Sequence, residues 1–170
     1  MPIAFFKHEI ELDEIDSFVA KQAIKNIRAH DIKIECCLYY MAIVESDSYS
    51  GQNRLETLLN AQSSDIPRLV STANTNQVMV IPRIGTLSAW STKALEIAHC
   101  CQCMSVNAIE KFVTYTLTFS SDHKEPLANA VTSKLHDPLT ETLITNNDQF
   151  QQSMQTFEKT FTQLQMTTLD

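Results

Sequence analysis

Two long runs of β-branched, aromatic and aliphatic residues, "IKIECCLYYMAIV" at positions 32–44 and "VNAIEKFVTYTLTF" at 106–119, set the strongest limit on how this chain can fold. Both are too apolar for exposed helices and read as long central strands, which need neighbours beside them and helices over them. A shorter strand and a helix precede each. Residues 5–10 alternate as a strand, and "LDEIDSFVAKQAIKNIRAH" places Leu12, Ile15, Phe18, Val19, Ala23 and Ile27 on one helical stripe with acids in its first turn. Residues 77–82 form the matching strand of the second half, and 88–101 the matching helix. After the first run, "SGQNRLETLLNAQ" reads as a short helix capped by Ser50 or Asn53 and carrying Leu55, Leu58 and Leu59. After the second, "HKEPLANAVTSKLHDPLTETLI" spaces Leu127, Ala130, Val131, Leu135 and Leu139 as a helix interrupted near Pro138. Polar residues 63–76 separate two β-α-β-α halves of roughly 60 to 70 residues each, the mark of an internal pseudo-repeat. The expected fold is α+β, one mainly antiparallel sheet with helices against one face.

From residue 146 the composition changes to "NNDQFQQSMQTFEKTFTQLQMTTLD", poor in large aliphatics. Phe150, Met154, Phe157 and Phe161 recur at helical spacing, and such a stripe needs a receiver. The expected division is a domain over residues 1–145 and, over 146–170, the start of a linker toward a partner domain outside this chain.

With 44% hydrophobic residues the chain can fill one core. A net charge of -7 with dispersed basic residues argues against a nucleic-acid partner, because phosphate neutralisation needs clustered cations. No apolar run approaches the roughly 20 residues that span a bilayer, and the N-terminal segment turns acidic before a signal-peptide core forms, so a cytoplasmic protein without membrane partners is expected. Cys36, Cys37, Cys100, Cys101 and Cys103 read as free thiols in a reducing compartment. His99 to Cys103 supplies zinc-ligand types, but its thiols fall on different faces of a helix end, and zinc sites usually pair a C-x2-C knuckle with a second ligand pair elsewhere, so no metal is expected.

Between the first strand and the first helix of the second half lies "PRIGTLSAWSTK", which holds one of the chain's two glycines and its single tryptophan. Gly85 marks a backbone conformation that other residues resist. Ser88 and Ser91 can cap the helix, and the free amides there also make a seat for an anion. Either capping alone, with Trp90 pinned over the core, or contacts from Arg83, Thr86, Ser88 and Ser91 to a phosphate or an acidic patch would use these residues. Enzyme signatures are missing: neither GxGxxG nor GxxxxGK[ST] occurs, nor a G-x-S-x-G elbow or H-E-x-x-H. Cys101 and His99, two apart on a helix, point away from each other, and His136–Asp137 before Pro138 reads as a helix-end polar pair. No catalytic residue is expected.

The stretch "PRIGTLSAWSTKALEIAHCC" resembles the P-R-x-G-T-x-S-P-W-S-S-K-A-x-x-I-A-x-x-C segment near the start of the large single-chain phosphoribosylformylglycinamidine synthases of purine biosynthesis. Downstream, "VNAIEK" is similar to that family's V-x-R-I-E-R and "LHDPLTETLI" to its L-H-D-R-M-x-E-T-V. Ala89 and Ile84 stand where the family usually has proline, and Ala108 and Lys111 where it often has arginine, with charge retained at 111. The resemblance implies a multidomain ligase that uses ATP, magnesium and glutamine to turn formylglycinamide ribonucleotide into the amidine, passing ammonia from a glutaminase domain to a synthetase domain. It also implies an N-terminal domain like a fused dimer of PurS, the small subunit of split versions of the enzyme. Nucleotide, magnesium and glutaminase residues belong to later domains, so this chain alone is expected to be inactive and to hold no cofactor. The resemblance carries over Arg83, Thr86, Ser88, Ser91 and Lys93 as a surface facing the synthetase domain and its substrate entrance, with Gly85 and Trp90 structural. A reading of another class stays open, a free-standing regulatory or scaffold module that binds a small anion or a separate enzyme.

Overall fold

The computed structural model describes residues 2–29, 32–46, 51–120 and 130–167. Six strands, β1 (Ile3–Glu9), β2 (Lys33–Val44), β3 (Gln62–Ser64), β4 (Thr75–Pro82), β5 (Val106–Thr118) and β6 (Glu141–Ile144), form one antiparallel sheet in the order β3-β1-β2-β5-β4-β6. Among the described residues the helices of eight residues or more are α1 (Phe18–Ala29), α2 (Gln52–Leu59), α3 (Ala89–Cys100) and α4 (Asn147–Thr167). The two apolar runs are the central pair, in register from Lys33↔Thr118 to Val44↔Val106 with a shift at Ile43/Val44. The strand order is a palindrome: β3-β1-β2 from the first half meets β5-β4-β6 from the second, and β1-α1-β2 repeats as β4-α3-β5. The α+β class and the internal repeat are therefore present as expected.

Several local expectations are corrected. Residues 141–144 were expected to be helical but form β6, which pairs β4 from Met79↔Ile144 to Pro82↔Glu141. Pro138 ends any preceding helix, and the open side of β4 supplies the hydrogen bonds that a lone tetrapeptide cannot make for itself. Leu139, expected on the apolar stripe, is 77% exposed, while Leu135 is buried in a 3-10 turn (Ser133–Leu135); Leu127 lies outside the described residues. Edge strand β3 likewise arises inside the polar stretch.

Helix α1 starts later than its stripe. Leu12–Glu14 is a 3-10 turn, and Ser17 Oγ accepts from the Ala20 amide at 3.2 Å, so the helical phase begins after it. Ala20, Ala23, Ile24 and Ile27 are buried and Phe18 is 73% exposed. Helix α2 is preceded by Gly51 in a left-handed conformation (φ 105°), with Asn53 inside the helix; Ser50 lies outside the described residues.

Helices cover both faces of the sheet rather than one. Alternate residues of β2 point to opposite faces: Ile34, Ala42 and Val44 join cores under α1 or under α2 and α3, whereas Met41 and Ile43 face α4. The stripe Phe150, Met154, Phe157 and Phe161 is buried there against Phe5, Met79 and Phe112, with the rings of Phe112 and Phe150 5.4 Å apart. Its receiver is the chain's own sheet. Among the described residues no helix is long and apolar enough to cross a membrane.

Candidate functional site

The two halves of the sheet differ in how far their outer strands stay paired with the central ones. The β1–β2 ladder runs to Glu9↔Cys37, the end of β1, whereas β4 leaves β5 after Val80↔Val113 and continues to Pro82 against β6 alone. The start of α3 fills the edge of β5 exposed by this parting. A turn leads into it, in which Gly85 has φ 84° and Thr86 donates to the Arg83 carbonyl from its amide (3.2 Å) and hydroxyl (2.8 Å). The left-handed glycine was legible in the sequence.

Ser88 is the N-cap of α3. Its Oγ accepts from the Ser91 amide at 3.1 Å and donates to Glu110 Oε1 at 2.8 Å, while its own amide donates to Glu110 Oε2 at 3.2 Å. Ser91 is buried and its hydroxyl donates to the Ile109 carbonyl. Both serines thus fasten the helix to the edge of β5. The acceptor that the helix start favours is supplied from within by the carboxyl of Glu110, which is 2% exposed. Burial pushes its carboxyl above the usual carboxylate range, against the pull of the Ser88 hydroxyl, the Lys111 and Ser88 amides and the Lys111 charge. Sequence reasoning missed Glu110, although an acid in the middle of an apolar strand is itself a signal that a buried charge has partners.

Trp90 is half-buried, stacked on Tyr40 with ring centroids 5.7 Å apart, and Lys111 Nζ lies 4.9 Å from its ring centroid. The same ammonium reaches Asp16 Oδ2 at 3.5 Å. On the other side of the corner, the Arg83 amide donates to the Thr140 carbonyl (2.9 Å), and the exposed guanidinium approaches the Leu139 carbonyl at 3.5 Å. That third segment is internally braced: the Asp137 amide donates to Glu141 Oε1, and Asp137 Oδ1 accepts from the Leu139 amide, both at 3.0 Å. Burial raises the Glu141 carboxyl as well.

Three segments far apart in the chain, around Arg83–Ser91, Ile109–Lys111 and Asp137–Glu141, therefore meet at one corner. Beside it a cleft of about 480 Å³ opens between the starts of α1 and α3, with Ser88 and Trp90 among its lining residues. Thr86 and Lys93 are exposed, and Lys93 pairs with Glu96 at 3.2 Å. The cysteines lie elsewhere. Cys103 is buried and Cys100 and Cys101 are exposed at the end of α3, where His99 Nε2 is 2.7 Å from the Val106 carbonyl; burial, with Cys37 and nearby acids, pushes the Cys36 thiol up to about 11. Among the described residues no three His, Cys, Asp or Glu side chains are grouped to hold a metal ion.

Comparison with known proteins places these segments in one context. The formylglycinamide ribonucleotide amidotransferase N-terminal family matches residues 36–154, a span that includes all three. A phosphoribosylformylglycinamidine synthase of Schizosaccharomyces pombe is 32% identical over 106 residues, which cover 62% of this chain and 8% of that protein. The chain thus corresponds to a small part of that relative's length.

Proposed function

This chain belongs to the formylglycinamide ribonucleotide amidotransferase N-terminal family, and on that premise we propose that it serves as the N-terminal domain of a cytoplasmic phosphoribosylformylglycinamidine synthase in purine biosynthesis. In that reading the parent enzyme joins the nitrogen of glutamine to formylglycinamide ribonucleotide at the expense of ATP. The domain itself performs no bond-making step. It docks on the synthetase domain and supports substrate access and the coupling of ammonia release to its use.

The meeting of the three segments carries this reading. Their residues are not needed together for the core, since Arg83, Thr86 and Lys93 are exposed while Ser88, Ser91 and Glu110 hold the start of α3 in place. A rigid corner that presents a guanidinium with only a long tie to a carbonyl is suited to a carboxylate or phosphate across an interface. ATP, magnesium and the glutaminase nucleophile would be held by other domains.

Arg83→Ala in the full-length synthase tests the proposal. Loss of a charge-assisted contact of about 1.5 to 3 kcal/mol should lower the amidine formed per glutamine hydrolysed, or the affinity for the ribonucleotide, by roughly tenfold or more. Unfolding of the isolated domain should change by no more than about 0.5 kcal/mol, because the side chain is exposed. Unaltered coupling and affinity would remove Arg83 from the interface.

A further inference from the structure

The cleft between α1 and α3 has a character that folding does not require. Phe18 and Val19, at the start of α1, line it and are 73% and 36% exposed. Ile84 and Leu139, on the loops at the corner, are 44% and 77% exposed. Half of the eight large hydrophobic side chains exposed among the described residues thus lie in or beside this one region. Clustered exposure of this kind marks an interaction surface, whereas scattered single residues do not. The charge around the cleft is one-sided as well, since its charged lining residues are five acids and Lys111. Lys111 lies against Trp90 and offsets Asp16, and Arg83 stands on the corner beside the cleft, so Glu14, Asp137, Glu110 and Glu141 leave the acids in excess.

We propose that this cleft is a docking groove for a segment of the parent synthase outside this domain, one that lays an apolar side chain against Phe18 and a lysine or arginine against Glu14 and Asp16. The inference rests on the synthase reading and adds to it the surface and the chemistry of its occupant. Apolar contact with Phe18 and Val19 removes their side chains from water, while the rim acids select a cationic neighbour and reject an acidic one. Asp16 lies 3.5 Å from Lys111 Nζ but its side chain is 90% exposed, so its carboxylate has surface open to a second cation.

The test uses full-length synthase with the photocrosslinking residue benzoylphenylalanine in place of Phe18, and in separate samples in place of Arg83 or Met104, followed by mapping of the crosslinked peptides. Met104, 63% exposed beyond the end of α3, is the control surface. The groove predicts a crosslink from position 18 to a peptide outside this domain that carries an apolar residue and a lysine or arginine. Asp16→Lys should cut its yield several-fold, and position 104 should give no such product. An acidic peptide at position 18, a crosslink between two copies of this domain, or a yield indifferent to Asp16→Lys would overturn the assignment. Crosslinks from position 83 but none from 18 would overturn the groove and leave the synthase reading standing. Crosslinks from neither would count against both.

Discussion

Glu110 shows how one side chain ties folding to the corner. Its carboxylate is buried, faces three donors and takes the seat at the start of α3 that the sequence alone offered to an external anion. Burial dominates, so the folded state holds its proton more tightly than the unfolded chain does. A carboxyl raised in this way contributes stability that is fully present below its unfolded value and is lost as pH rises through the folded one. Glu110→Gln mimics the protonated form and removes that loss. The unfolding free energy of the variant should therefore improve relative to wild type as pH rises from about 4 to about 7, with the two nearest each other in acid, as followed by urea titration. The opposite trend would mean that the Ser88 and Lys111 hydrogen bonds outweigh desolvation. The left-handed backbone at Gly85 was legible because a lone glycine in a turn leaves few other uses; Glu110 was not, because its partners come from a helix start 22 residues away.

At the scale of elements, sequence periodicity identified what was long and left open what was short or remote. β2 and β5 announced themselves through unbroken β-branched and aromatic runs. β3 and β6 did not, since a three- or four-residue edge strand is set by the neighbour that offers it hydrogen bonds. The stripe of α1 was counted from Leu12, and the Ser17 cap reset its phase, which is why Phe18 stands in solvent. For α4 the stripe was visible and its receiver was not, because Phe5, Met41 and Phe112 belong to strands distant in the chain. Buried Phe and Met side chains are each worth roughly 1.5 to 3 kcal/mol, so the four on α4 together approach the whole stability of an ordinary domain, about 5 to 15 kcal/mol. Removal of residues 147–170 should therefore abolish cooperative thermal unfolding and expose an apolar sheet face that binds a hydrophobic dye. A sharp transition in the truncated chain would mean that α4 is an accessory to the fold.

For the whole molecule, the palindromic sheet makes the asymmetry informative. Two halves of one plan differ where β4 parts from β5, and at that parting the three segments resembling the synthase motifs come together. The repeat was readable from pattern alone, whereas the motif residues were carried by the resemblance to the synthase family. Their convergence was not, since it depends on β6 joining β4 and carrying Asp137–Glu141 to the corner. In the proposed role this domain completes a synthase without performing its chemistry. The most direct measurement is glutamine-dependent amidine formation by a synthase from which this domain has been deleted, with and without the purified domain added back. Little coupled product is expected from the deleted enzyme, with recovery on adding the wild-type domain in proportion to the amount bound. Full coupled activity without the domain, or no recovery when the folded domain is bound, would contradict it.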